Sequence, residues 1–473
     1  MRFYEINPQY REYLMLEEDT GSRVTYGDFS AFYESVCQRL APHTLMFLFC
    51  ENTIGAVFIY LSCLNQQIVP LLLDKHMDAE MAQELMDLYQ PDYLAMPQED
   101  CGLSFSSPGT SVIREYGYEI YFREKRHPTV LHPDLALLLT TSGSTGSPKL
   151  VRQSRENISV NASAIAKYLE LNSTERPITT LAMNYTYGLS VLNSHLLVGA
   201  AVLLTRRTLF EKEFWDFFRR SGATSISGVP YTYEMLKRLS FFQMELPSLR
   251  TMTQAGGKLP PRLHQEFAEY AAETGRKFIV MYGQTEATAR MGYLPADYAL
   301  SRCGSMGIAI PGGIFRLMEG EHTEIHSAGT VGELVYEGPN VTMGYAKGPE
   351  DLAKGDEKHG ILFTGDMAMR DADGFYYITG RKKRFLKLYG KRVNLDEIEQ
   401  MFRQEYAGID IACTGTDDQM KLYIAGESEE FCRKAGEWLA EKSGLHPKVF
   451  RVLSIEKIPK NEAGKTLYKE LAI

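Results

Sequence analysis

The chain has 473 residues, with 51 Lys and Arg against 60 Asp and Glu, a formal net charge of −9. At roughly 150 residues per domain, that length holds about three domains, or one large domain with a small one. Hydrophobic residues at 44% and charged residues at 23% exclude a disordered, collagen-like or disulfide-scaffold chain, and the acidic balance argues against a dedicated nucleic-acid binder.

The first twenty residues carry charges throughout and lack the apolar segment of a secretory signal. Seven cysteines (37, 50, 63, 101, 303, 413, 432) are odd in number and include no CxxC pair. They read as reduced thiols of a cytoplasmic protein, neither bridges nor zinc ligands. Residues 52–73 contain no charge and are long enough to span a bilayer. They also contain Asn65, Gln66, Gln67 and Pro70, while Val57, Leu61 and Leu64 recur at helical spacing. A core helix running into a buried strand at 69–73 is predicted.

Next, an apolar strand at 135–139 enters TTSGSTGSPK, which ends on Lys149. Glycines let backbone N–H groups close on an anion, hydroxyls add donors and the lysine adds charge, so the segment reads as a polyphosphate cradle. Its spacing, Gly143-x-x-Gly146-x-x-Lys149, is not GxxxxGK[ST], and KLVRQS alternates like a strand instead of opening a helix. A P-loop NTPase is therefore excluded. An α/β-hydrolase elbow fails too, because Ser142 and not glycine stands two places before Ser144. A Ser/Gly surface loop is the plain alternative.

Beyond the loop, Ile158, Ala162, Ile165 and Leu169 form a helical stripe after Asn157. Leu263, Phe267 and Tyr270 form another, closing at Gly275, and the strand-like KFIVMY (277–282) follows at once. This alternation predicts an α/β body. His322-Thr-Glu-Ile-His326 spaces two histidines as a zinc-binding helix does, but Glu324 is misplaced and the surroundings are β-rich, so a hairpin is predicted there.

From residue 383 the texture changes. The basic run of Lys382, Lys383, Arg384, Lys387, Lys391 and Arg392 leads into an amphipathic helix at 394–406. Strands at 409–415 and 421–427, a helix at 429–444 and a strand at 448–454 follow. This predicts a small α+β domain at 383–473 after a body at 1–382. As a nucleic-acid patch the run lacks interleaved aromatics beyond Phe385 and Tyr389.

TTSGSTGSPK resembles the phosphate loop of the adenylate-forming superfamily: AMP-dependent acyl-CoA synthetases, luciferases and adenylation domains. MYGQTEA (281–287), GELVYEGPNVTMGY (332–345), FTGDMAMRDADGFYYITGRKKR (363–384), LKLYGKRVNLDEIE (386–399) and IPKNEAGKTLYKEL (458–471) resemble its later motifs in the same order. The resemblance covers nearly the whole chain. It implies an α/β fold with a large multi-subdomain N-terminal adenylate-forming domain and a small mobile α+β C-terminal domain. It also implies activation of a carboxylic acid by ATP and Mg2+ as an acyl-adenylate, with pyrophosphate released. The acyl group then passes to a thiol, most often CoA, with a carrier-protein phosphopantetheine as the alternative acceptor.

Carried over position by position, the resemblance makes Thr141, Ser142, Gly143, Ser144, Thr145, Gly146 and Lys149 contacts of the phosphates. Tyr282 offers an aromatic face to adenine, Gly283 permits a tight turn beside it, and Gln284 and Thr285 complete that motif. Glu286 is a hard oxygen ligand suited to Mg2+, joined in the family by Thr145. Asp366 would accept the ribose hydroxyls, and Arg381 would contact the ribose or α-phosphate. Lys465 would neutralise the acid's carboxylate and the α-phosphate, so Lys465, Glu286, Thr145 and Lys149 are the implied catalytic set. Lys383 matches the hinge, and Lys387 and Gly390 match the wall of the thiol tunnel.

The segment 181–204 resembles one wall of the acid pocket, with Tyr185, Thr186 and Gly188 on it; Ala255, Gly256 and Gly257 are small, as expected where backbone lies against a flat or slender substrate, or where a turn falls. Amino-acid-activating members place an aspartate where Thr186 stands. Without that partner a buried ammonium is expensive, which favours a fatty, hydroxy or aryl acid over an α-amino acid. No nucleic-acid partner and no transmembrane segment are expected. A non-catalytic nucleotide- or acyl-binding relative is the reading from another class; a binder, however, has no need of Lys149, Glu286, Asp366, Arg381 and Lys465 together.

Overall fold

Four apolar stretches, Leu45–Cys50, Val69–Asp74, Tyr93–Pro97 and Leu135–Thr140, pair in parallel. Alternate side chains leave each strand on opposite faces, and both faces are covered. Met46 and Leu48 pack with residues of the helix Ile54–Gln66, while Leu45, Phe47 and Phe49 pack with residues of the helix Ala79–Tyr89. The uncharged stretch at 52–73 is thus the expected core helix followed by a buried strand. Among the described residues no helix is long and apolar enough to cross a membrane.

The computed structural model describes the chain apart from residues 1, 6, 100–107, 125–128, 141–148, 321, 389–390, 417–418, 444, 461–465, 469 and 472–473. For Lys383, Phe385, Lys387, Lys391 and Arg392 it describes the backbone alone. The described chain divides into two compact units, Met1–Ile314 with Glu337–Leu362, and Phe315–Tyr336 with Phe363–Ile473. The boundary expected at 382/383 falls inside the second.

The first unit holds two large sheets. In the eight-stranded one, Leu150–Ser154 returns antiparallel to Leu135–Thr140, and Gly344–Ala346 adds to its outer edge. The return is a strand, as KLVRQS predicted, and its last residue opens a helix. Ser154 caps Arg155–Tyr168 in a reciprocal bond with Asn157. The nine-stranded sheet carries Ser225–Gly228, Thr251–Gln254 and Lys277–Tyr282 in parallel. The helix Pro261–Thr274 before the last of these ends on Gly275 at φ 65°, the left-handed stop its sequence predicted.

In the second unit a five-stranded sheet places Ile361–Arg370 antiparallel to Tyr376–Arg381. Beyond it the hairpin of Phe385–Leu388 and Lys391–Asn394 leads to the helix Leu395–Glu405. The strands Ile411–Thr416, Gln419–Ala425 and Phe450–Ile455 form a three-stranded sheet with the helix Glu429–Ser443 packed on it. Leu386, Ile398, Phe402, Met420, Leu422 and Leu439 share one core, the α+β pattern expected of the C-terminal residues. The histidine pair lies in the predicted hairpin: Thr323–Glu324 runs antiparallel to Ile314–Glu319, and Glu324 pairs with Arg316 at 2.8 Å.

Candidate active site

The strand Lys277–Tyr282 ends at a tight turn that leads into the short 3-10 helix Thr285–Ala287. Gly283 is sterically obligatory there, because a Cβ would stand 1.7 Å from the carbonyl oxygen of Ala289. Gln284 donates Nε2–H to the Tyr282 hydroxyl at 3.3 Å. The short helix is pinned from outside: the backbone N–H and the hydroxyl of Thr342 both donate to the Glu286 carbonyl, at 3.1 and 3.0 Å.

This pinning brings in a residue that motif reading left without a role. Tyr345 donates its hydroxyl to Glu286 Oε1 at 2.7 Å. Burial first, and then the Glu286 charge, push the Tyr345 phenol well above its usual range, so it stays a neutral donor. The second carboxylate oxygen of Glu286 takes no donor among the described residues. Tyr345 lies opposite Val151 on the strand that returns from the phosphate loop. Lys149 therefore ends 5.8 Å from the centre of the Tyr345 ring, and Lys358 ends 6.0 Å from it. Thr141, Ser142, Gly143, Ser144, Thr145 and Gly146 lie outside the described residues.

Arg152 holds this edge together. Wholly buried, it donates to the carbonyls of Tyr345, Met343, Lys354 and Gly355 and pairs with Glu357. A guanidinium can satisfy several carbonyls at once because its donors point outward in a fixed fork. In the sequence it looked like any polar position of an alternating strand.

The expected pocket residues come together in part. Tyr185 and Thr186 open the helix Thr186–Leu197, and Thr186 donates its hydroxyl to the Thr288 carbonyl at 2.6 Å. Gly256, at φ 82°, lies under Tyr185, whose hydroxyl oxygen would be 2.7 Å from an added Cβ. Ala255 belongs to an apolar cluster with Tyr187, Val191, Ile279 and Met281, and Tyr168, Tyr185 and Tyr293 pack against it half-buried. Gly188 faces the carbonyl of Ala182, 2.3 Å from an added Cβ, and Gly257 faces the ring of Pro230 at 3.1 Å, so both serve close packing.

In the second unit Asp366 and Arg381 stand opposite one another in the antiparallel register. Arg381 Nε is 3.0 Å from Asp366 Oδ1; the carboxylate is nearly buried and the guanidinium half-exposed. The Asp366 N–H donates to Thr364 Oγ1 at 3.1 Å, and the Arg381 N–H donates to Asp396 Oδ2 at 3.1 Å. The basic run is not an open patch over its described side chains. Lys382 pairs with Glu333 at 2.6 Å, and Arg384 pairs with Asp396 and Glu399 and stacks on Tyr468. Lys383 and Lys387 are described in backbone alone, and Gly390 and Lys465 lie outside the described residues. Among the described residues no three His, Cys, Asp or Glu side chains gather as a metal cluster.

Against known proteins, the profile of the AMP-binding enzyme family matches residues 5–346. Sulfoacetate–CoA ligase of Cupriavidus necator is 30% identical over 341 residues, which cover 70% of this chain and 65% of that ligase. The chain thus matches just under two thirds of that relative's length. 2-Succinylbenzoate–CoA ligase of Geobacillus kaustophilus is 28% identical over 352 residues, 72% of this chain and 69% of that one. Among solved structures, an anthranilate CoA ligase in complex with anthranoyl-AMP aligns over 100% of this chain and 96% of its own, with a TM-score of 0.78 at 20% identity. The o-succinylbenzoate CoA synthetase of Bacillus subtilis, in complex with its acyl-adenylate, gives 0.77 at 18% identity over 98% of this chain and 96% of that one. The large N-terminal and smaller C-terminal parts have the fold of these adenylate-forming structures.

Proposed function

The chain belongs to the AMP-binding enzyme family, and from that premise we propose that it is an AMP-forming acid–CoA ligase. A carboxylate oxygen attacks the α-phosphorus of ATP, the new O–P bond forms as the α–β bridge breaks, and pyrophosphate leaves. The sulfur of CoA then attacks the acyl carbon, expelling AMP and giving up the thiol proton. The acids named for its relatives, sulfoacetate and 2-succinylbenzoate, support an acid without an α-ammonium. So does Thr186, whose hydroxyl is spent on a backbone carbonyl. We read the substrate as a fatty, hydroxy or aryl acid.

The observation that carries this reading is the meeting of Lys149, Tyr345 and Glu286 where the phosphate loop returns. Carboxylate and triphosphate repel each other, and a cationic side chain beside a hard carboxylate ligand is the arrangement that relieves it. Glu286 fits a magnesium ion, since one oxygen is fixed by Tyr345 and the other takes no protein donor among the described residues. Glu286 with Thr145 would hold the ion, which when bound screens the charge of the phosphates. Thr141, Ser142, Gly143, Ser144, Thr145, Gly146 and Lys149 are the proposed phosphate contacts. Tyr282, Gly283, Gln284 and Thr285 take the adenine side, Asp366 and Arg381 the ribose side, and Lys465 the reacting carboxylate. Residues 383–473 are proposed to turn about Lys383, bringing Lys387 and Gly390 to the thiol in place of Lys465. A carrier-protein phosphopantetheine is the alternative thiol. The described cysteines are free thiols, which supports a cytoplasmic setting.

Product analysis tests the reading. Incubation with ATP, Mg2+, CoA and an acid panel is expected to yield AMP, pyrophosphate and an acyl-CoA. ADP with inorganic phosphate would rule it out.

A further inference from the structure

Three cations are buried among the described residues: Lys75, Arg152 and Arg290. Lys75 has the carboxylate of Glu51 at 2.7 Å, and Arg152 has that of Glu357. Arg290 has none. Only 2% exposed, it donates Nε–H to Ser190 Oγ at 3.2 Å and Nη1–H to the Tyr168 hydroxyl and to Met281 Sδ, each at 3.0 Å. Its guanidinium carbon lies 4.9 Å from the centre of the Tyr187 ring. A ring face and two hydroxyls offset part of the cost of burying a charge, but a dry cation without a counter-ion stays expensive.

The groups around it belong to the proposed acid pocket. Tyr187 and Met281 share the cluster of Ala255, against which Tyr168 and Tyr185 pack. Ser190 follows Thr186 by four residues on the helix Thr186–Leu197, about 6 Å further along its axis. Arg290 thus meets this helix at Ser190, one turn after Thr186. Ser190 also lines a small cavity with room for about one water, whose other walls include Gln153, Asn161, Asn193 and Thr288. Gln153 is 1% exposed, and neither end of its amide has a partner among the described residues. A buried cation without a carboxylate and a buried amide without a partner among the described residues thus lie beside Ser190 and its cavity.

We infer that the acid taken by this pocket carries a second anionic group, a carboxylate or sulfonate, which pairs with Arg290 while the first carboxylate is adenylated. The inference rests on the ligase reading and narrows it: a plain fatty acid would leave Arg290 uncompensated, whereas a dianionic acid supplies what the protein omits.

The test uses the full chain with acids matched in length: butyrate against succinate, hexanoate against adipate, and benzoate against terephthalate. ATP–pyrophosphate exchange and thermal shift in the presence of each acid are read on wild type, Arg290→Lys and Arg290→Leu. The wild type is expected to favour the dianionic member of at least one pair by roughly 100-fold, as when a buried polar partner is left unmet by the wrong substrate. Arg290→Lys should retain that preference in weakened form, and Arg290→Leu should lose it. If Arg290→Leu does not fold, wild type and Arg290→Lys still decide the matter. A wild type that favours the monoanionic member of every pair overturns the inference while leaving the ligase standing, and so does a preference untouched by both substitutions. If exchange is silent with every acid, the ligase reading fails. Thermal shift then judges the anion site separately: stabilisation of wild type but not Arg290→Leu by a dianion supports it, and equal shifts refute it.

Discussion

Tyr345 donates its hydroxyl to Glu286 across 2.7 Å, joining side chains 59 residues apart. The bond fixes the carboxylate that the proposed chemistry needs for its magnesium ion. Tyr345→Phe keeps the ring and removes only the donor. We expect exchange activity to fall roughly ten-fold, equivalent to about 1.5 kcal/mol for a bond to a charged group, and half-maximal activity to need more Mg2+. A magnesium titration of wild type and variant checks this; superimposable curves would mean Glu286 is positioned without Tyr345.

Gly283 has no room for a side chain, since a Cβ would overlap the Ala289 carbonyl at 1.7 Å. Gly283→Ala must push apart two backbone segments that flank the Tyr282–Glu286 turn. Destabilisation of more than about 3 kcal/mol is expected, measured by urea unfolding. A variant as stable as wild type would show that this turn relaxes freely.

His195 is buried, and burial lowers its imidazole pKa to about 4. The unfolded chain takes up a proton near pH 6.5 while the folded one does not, so stability is full above pH 6.5 and falls as pH drops toward 4. Across that window the loss is about 3 kcal/mol. Unfolding free energies of wild type and His195→Gln, compared between pH 7 and 4, should converge on acidification by about that amount. Parallel curves would place the proton elsewhere.

Much of this arrangement is written locally. The left-handed stop at Gly275, the strand Lys277–Tyr282 and the strand return after Lys149 follow from side-chain period and turn chemistry within a few residues. Thr186 is legible only by the charge it lacks; that its hydroxyl goes to the Thr288 carbonyl is not written in the sequence. Tyr345, Arg152 and Arg290 were not legible, because each gains meaning from partners more than a hundred residues away or from a strand pairing that no periodicity announces. Arg290 stands four places after Glu286, beside a motif yet outside it. Only its burial without a carboxylate marks it.

The two half-reactions should separate. Lys465→Ala is expected to abolish acyl-adenylate formation while sparing thioester formation from supplied acyl-adenylate. Gly390→Trp is expected to do the reverse, since it adds bulk where the thiol arm is proposed to pass. Both half-reactions are assayed on each folded variant. Equal loss of both in each would contradict a turning C-terminal region.

The step that defines the proposed activity is the joining of an acid to AMP. Acid-dependent exchange of labelled pyrophosphate into ATP measures that step alone, without CoA and without a second domain pose. Exchange is expected with one or more fatty, hydroxy or aryl acids, dianionic members foremost, and to be weak with α-amino acids. No exchange across the whole panel, or an α-amino acid as the best substrate, would contradict the account.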